Sequence, residues 1–305
     1  MKSFDIIFIQ ETWLLSELLL NGFTSYTLAA TPAVARGRPN GGLACLISTS
    51  VVCAVLLLPS LGSIAMALLL TFNDREILVV NVYIPPYSSP FYYEHCWSDL
   101  EMYIYDLETK FHGAQTILLG DFNARLGNGH FRSAYAEHIG DFYNQSRNTK
   151  DPLLNKTGKR FWQLIDKLNL VILNGNFQGD ELGEFTYFSK NGASLIDYLA
   201  ITPLLLDKIS YFTVGTQPES DHQPLIFYMH TPKASLNNGE DSFFPIDQVL
   251  VTADIRLKWS PILRQEIQRI LYSAPMLKWK GGKGKLRQLQ TSTLPLQDMV
   301  NQQTL

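Results

Sequence analysis

The chain has 305 residues, 46% hydrophobic and 17% charged, with 20 glycines and 15 prolines, which excludes a disordered, collagen-like or coiled-coil protein. The net charge of −3 is unevenly spread: residues 1–232 carry 15 Lys and Arg against 22 Asp and Glu, and residues 233–305 carry 10 against 6. An acidic body argues against a non-specific grip on phosphate backbones, but carboxylates holding a divalent cation still present positive charge to a phosphate.

Asp5–Ile9 reads as a buried strand entering Gln10-Glu11-Thr12. The first ten residues lack the small-residue cleavage site of a secretory signal. Three cysteines, Cys45, Cys53 and Cys96, are too few for a disulfide framework or zinc site, and they fit a reducing, intracellular setting. Gly41-Gly42 opens a strand at Leu43–Ile47, and Val51–Leu57 and Ile64–Thr71 follow. No charge falls between Arg38 and Asp74, and Val51–Leu70 is long enough to span a bilayer. Pro59, Ser60, Gly62 and Ser63 at its middle favour two strands joined by a turn. Asn73-Asp74-Arg75 is a hairpin tip leading into Ile77–Tyr83, which Pro85-Pro86 ends.

Phe91–Phe111 predicts a helix, with Trp97, Leu100, Ile104 and Leu107 at helical spacing. Thr116–Leu119 is a strand ending at Gly120, and Gly127–Asn155 is a polar surface loop. Thr157–Leu168 predicts a second helix with Phe161, Leu164, Ile165 and Leu168 on one face. Strands at Leu170–Leu173, Phe185–Phe188, Leu195–Thr202, Ile209–Val214 and Leu225–Met229 complete a domain over residues 1–232. Residues 233–305 read as a linker and basic tail, partly helical (Trp259–Tyr272) or disordered. The Gly-rich, basic Lys278–Lys285 lacks P-loop spacing.

Five segments place oxygen and imidazole groups at strand ends: Gln10-Glu11-Thr12, Asn81 to Pro85, Asp121-Phe122-Asn123, Ser194 to Tyr198, and Ser220-Asp221-His222. Glu11, Asp121 and Asp197 interrupt apolar runs, where an unpartnered carboxylate is expensive. A hard divalent cation or a hydrogen-bonded histidine removes that penalty. Each segment also has a plain reading: Glu11 as a strand end, Asp121 to Asn123 as a turn, His222 as a structural histidine. Asp197 in mid-strand resists one, and no structural rule requires all five together.

In order, QETW, NVYIPP, LLGDFNARLG, SLIDYLAI and SDHQPL resemble the endonuclease/exonuclease/phosphatase superfamily over about residues 5–230. GDFNARLG with LIDYLAI is most similar to the apurinic-type endonuclease domain of non-LTR (LINE-like) retrotransposons. The resemblance implies an α/β deoxyribonuclease-I-like fold, a four-layer sandwich of two packed mixed β-sheets flanked by helices. It implies metal binding by Glu11 and Asp221, with Mg²⁺ as cofactor and Mn²⁺ as an alternative. Asp121 would orient or deprotonate the attacking water, Asn123 would hold it, and Tyr83 would contact the scissile phosphate. Asp197 would orient His222, which would stabilise the phosphate. Thr186, Ser194 and Ser220 would lie near the substrate.

The expected partner is DNA, with no membrane contact, and an intracellular, nucleus-compatible location. No reverse-transcriptase motif is present. The family's opening strand, ending in Trp-Asn-x-x-Gly, has no counterpart before Glu11, which predicts a missing polar ligand and an unpaired sheet edge. The function implied is a Mg²⁺-dependent endonuclease that nicks one DNA strand and leaves a 3′-hydroxyl. The alternatives are a catalytically inactive remnant, and a phosphomonoesterase or phospholipid phosphodiesterase of the same superfamily.

Overall fold

The computed structural model describes residues 4–33, 37–73, 75–128, 147–216 and 220–230, together with the backbone of one strand at Gln248–Asp254. In chain order the strands are β1 (Ile6–Gln10), β2 (Phe23–Leu28), β3 (Leu43–Ser48), β4 (Ala54–Leu57), β5 (Ala65–Phe72), β6 (Arg75–Tyr83) and β7 (Gln115–Asp121). They continue as β8 (Val171–Ile172), β9 (Tyr187–Ser189), β10 (Gly192–Ser194), β11 (Asp197–Ile201), β12 (Ile209–Val214), β13 (Leu225–Met229) and β14 (Gln248–Asp254). Helices α1 (Cys96–Lys110) and α2 (Lys156–Lys167) interrupt them, with a 3₁₀ segment at Pro203–Lys208.

Two six-stranded mixed sheets form, ordered β12-β13-β14-β1-β3-β2 and β4-β5-β6-β7-β11-β8. Side chains alternate between faces along a strand. Ile6 and Phe8 of β1 meet Met66, Leu68, Val79, Ile117, Leu119, Leu199 and Ile201 between the sheets. The intervening Ala67, Leu78, Val80, Leu118 and Ala200 face outward, under α1 and α2. Burial on both faces explains why these strands read as continuous apolar runs.

Helix α2 starts at Asn155, whose side chain accepts the Gly158 N–H at 2.6 Å. It buries Phe161, Leu164 and Ile165, as the helical spacing predicts. Helix α1 begins at Cys96, later than the predicted Phe91, because turns from Pro86 to Ser89 and from Ser89 to Tyr92 take up the preceding residues. Among the described residues, α1 and α2 flank the outer face of the second sheet. The outer face of β1 and β3 is covered by Leu18 and Leu20 of an irregular segment.

Val51–Leu70 contains β4 and part of β5, paired antiparallel with Leu57 opposite Leu68. No helix among the described residues is long and apolar enough to cross a membrane. Strand β1, next to which the open edge was expected, is paired on both sides, by β3 and β14. Strand β14 lies between β1 and β13, parallel to the first and antiparallel to the second. The segment after residue 232 therefore contributes a strand to the sheet. The predicted Trp259–Tyr272 helix, Lys278–Lys285, and residues 129–146 of the Gly127–Asn155 loop lie outside the described residues.

The turn after β8 supports β11. Asn174 accepts the Leu199 N–H at 3.1 Å and donates to the Asp197 carbonyl at 3.3 Å. Asp180, 2% exposed, accepts the Gly175 and Glu184 N–H groups, and burial pushes its carboxyl up to about 6.

Two stability measurements check this arrangement. Val251 pairs with Ile7 and with Ile226, so Val251→Pro, removing a ladder N–H, should cost about 1–3 kcal/mol in urea unfolding. An unchanged midpoint would show that β14 is dispensable. The raised Asp180 carboxyl means that the folded state holds a proton the unfolded chain has lost. Its stabilisation is full below pH 4 and lost as pH rises through about 6. That change should amount to roughly 3 kcal/mol and be absent in Asp180→Asn.

Candidate active site

Three of the predicted residues share one rung of the second sheet. Tyr83 is the parallel partner of Asp121, and Asp197 is its antiparallel partner. Val79, Leu119 and Leu199, in phase with them, face the core between the sheets. The rung therefore presents its side chains on that inner face, where the sheet ends. Gly120 permits the close approach: its φ is +138°, and a Cβ there would collide with the Val82 carbonyl.

The first sheet supplies the opposite wall. Beyond β1 the chain turns sharply, with Glu11 at φ +50° and Trp13 at φ +53°, a strained choice for non-glycine residues. The turn is held because the Thr12 and Trp13 N–H groups donate to the Gly42 and Gly41 carbonyls at 3.1 and 3.0 Å. Tyr83 Oη donates to Glu11 Oε1 at 2.5 Å. One residue before Glu11, Gln10 Nε2 donates to Asn81 Oδ1 at 2.6 Å. Asn81 Nδ2 in turn donates to the Ile9 and Ala44 carbonyls.

His222 precedes β13. Its Nδ1 lies 3.1 and 3.0 Å from the two Asp197 oxygens. With Asp197 ionised, Nδ1 carries the proton and Nε2 is directed away from Asp197. The Ser220 hydroxyl accepts the His222 N–H at 3.1 Å, and the Tyr187 ring packs 4.7 Å from the imidazole. Asn123, at φ +47°, donates its backbone N–H to Asp121 Oδ1 at 2.8 Å. Its Nδ2 reaches the Ile84 carbonyl and Asp121 Oδ2 at 2.9 and 3.1 Å.

Glu11, Tyr83, Asp121, Asn123 and His222 line one cleft of about 400 Å³. Burial first, then the neighbouring charges of Asp197 and Glu11, hold the Asp121 carboxyl well above its usual range, against the opposing pull of His222. Asp121, Asp197 and His222 offer ligand atoms that lie within 4.8 Å of one another. A buried Asp121 carboxyl pushed up by burial and by its carboxylate neighbours fits a hard divalent cation, which prefers oxygen ligands and would relieve the repulsion.

Not every predicted residue lines the cleft. Asp221 is partly buried, and its carbonyl accepts the Phe188 N–H at 2.7 Å. Ser194 pairs with Tyr187 in the small hairpin. Thr186 is fully buried, and its hydroxyl accepts the N–H groups of Ile196 and Asp197, both at 3.1 Å. It thus fixes the backbone that carries Asp197. The cleft also contains Arg38 and Tyr187, which sequence reasoning did not single out. Arg38 carried no motif signal; Tyr187 lies in a predicted strand but looks like any β-forming aromatic.

Residues 1–269 match the Endonuclease/Exonuclease/phosphatase family. No curated protein matches the chain. A 3′-5′ exonuclease from Neisseria meningitidis shares 20% identity over 72% of this chain and 87% of its own, with a TM-score of 0.48. A Neisseria 3′ phosphatase bound to a product DNA hairpin shares 18% over 74% and 88%, at 0.48. The endonuclease domain of TRAS1, a telomere-specific non-LTR retrotransposon, shares 20% over 74% and 85%, at 0.47. The family match takes in both sheets and every residue of the cleft, β14 included, and so the chain belongs to the Endonuclease/Exonuclease/phosphatase family, with its deoxyribonuclease-I-like fold and a phosphodiesterase or nuclease type of hydrolysis.

Proposed function

We propose that the protein is a Mg²⁺-dependent DNA endonuclease of the retrotransposon type that nicks one strand. The observation that carries this reading is the shared rung of Tyr83, Asp121 and Asp197 facing Glu11, with His222 bonded to Asp197. Hydrolysis of a phosphodiester needs a positioned water, a base, and charge stabilisation on the phosphoryl oxygens.

Asp121 is the base, and Asn123 holds its carboxylate in place through two hydrogen bonds. The water oxygen bonds to phosphorus while its proton passes to Asp121. The bond from phosphorus to O3′ breaks with its electron pair on O3′, which takes a proton from solvent, leaving a 3′-hydroxyl and a 5′-phosphate. Protonated His222, its charge favoured by Asp197, donates from Nε2 to a phosphoryl oxygen. Tyr83, tied to Glu11, faces the same phosphate. Mg²⁺, or Mn²⁺ in its place, would supply Lewis acidity toward the phosphate, with Glu11, which lines the cleft beside Asp121, as its holder.

Supercoiled plasmid incubated with Mg²⁺ should convert to the nicked circle, and chelator should stop the conversion. Asp121→Asn and His222→Ala should each slow nicking by about 10²–10⁴-fold without unfolding the protein. Thr186→Val removes the acceptor of the Ile196 and Asp197 N–H groups and should slow nicking by roughly ten- to a hundredfold, the size of two lost hydrogen bonds. Folded wild-type protein that leaves the plasmid intact would rule out the nuclease assignment.

A further inference from the structure

Arg38 is the only lysine or arginine among the described residues that line the acidic cleft. Its side chain is 58% exposed, whereas that of Glu11 is 9% exposed, and its Nη2 lies 4.0 Å from Glu11 Oε1. That separation is an ion pair without a hydrogen bond. The guanidinium is held by a different contact: its Cζ lies 3.8 Å from the centroid of the Trp13 ring. Trp13 is in turn fixed by its backbone bond to Gly41 and Thr12 by its bond to Gly42. Those glycines end the Arg38 loop, so the stacked pair and the Glu11 turn form one unit.

An arginine placed this way has a fixed plane, and its N–H edge remains open to a planar or tetrahedral oxyanion. We propose that Arg38 binds a backbone phosphate flanking the scissile one, and that it serves as the counter-charge of Glu11 until a divalent cation takes that place. The proposal rests on the nuclease reading and sharpens it. The substrate is a polyphosphodiester strand, since a phosphomonoester or a lone head group carries no flanking phosphate for Arg38.

Two consequences separate this role from a structural one. DNA binding should lose one phosphate contact, and the cation site should lose a competing charge. Binding of a labelled DNA duplex is measured by anisotropy in Ca²⁺ across a salt series, with wild-type protein, Arg38→Ala and Arg38→Lys. Arg38→Ala should weaken binding by about tenfold and reduce the slope of log affinity against log salt by about 0.9. Arg38→Lys keeps the charge but loses the planar stack, so it should recover the slope and only part of the affinity. Without DNA, Arg38→Ala should need less Mn²⁺ than wild type for half-maximal thermal stabilisation.

Melting curves in chelator establish that each variant is folded. An Arg38→Ala protein with wild-type affinity, slope and Mn²⁺ response overturns the assignment while wild-type binding and nicking leave the nuclease reading intact. Weaker binding at an unchanged salt slope overturns it as well, since that points to altered shape instead of a lost phosphate contact. Wild-type protein that neither binds nor nicks DNA overturns both.

Discussion

A buried amide pair holds the two sheets in the alignment that the cleft requires. Apolar packing between sheets is non-directional and tolerates sliding. Gln10 and Asn81, 2% and 0% exposed, replace that freedom with one geometry. Asn81 stands on β6 of the second sheet, takes the Gln10 amide, and donates to carbonyls of β1 and β3 in the first. Breaking either partner would leave buried polar atoms unpaired. Glu11 lies one residue beyond Gln10, and Tyr83 lies two residues beyond Asn81, so the pair sets their meeting across the sheets.

The cleft built on that alignment is electrostatically unfavourable by itself. Glu11, Asp121 and Asp197 crowd a largely buried space, and Asp121 is held toward its protonated form by burial and by the other two. Such crowding is tolerated because His222 bonds Asp197, Tyr83 bonds Glu11, and Asn123 bonds Asp121. A cation entering the cleft changes the sign of the local field and favours ionised Asp121. The acidic body of the protein is then no obstacle to a phosphate substrate. What matters is the charge within a few ångströms of the phosphate.

The described backbone around the cleft is held in place by local hydrogen bonds. Glu11, Trp13 and Asn123 occupy left-handed backbone, and each is secured by a neighbouring hydrogen bond. Thr186 and Asn174 together fix the β11 backbone around Asp197. These supports lie outside the reacting groups, yet they decide where those groups point.

The chemistry of the site and most of the framework are legible in the sequence. Strands buried on both faces show as apolar runs, and Glu11, Asp121, Asp197 and His222 stand out because each follows, interrupts or precedes such a run. Phe161, Leu164 and Ile165 declare α2 by their spacing. Strand β2, a half-exposed edge rich in Thr and Ser, carries no such run and was not legible. Nor was β14, in a segment whose composition reads as linker and tail. Its place between β1 and β13 is a pairing across more than 200 residues for β1, and local patterning holds no record of a distant edge. Arg38 is the same case in the active site: nothing around it marks a function until Trp13 and Glu11 fold against it. Sequence by itself determined which chemical groups the protein carries and which segments must be buried. Tertiary structure decided which groups meet, because strand register and sheet alignment are set by long-range hydrogen bonds that no local window contains.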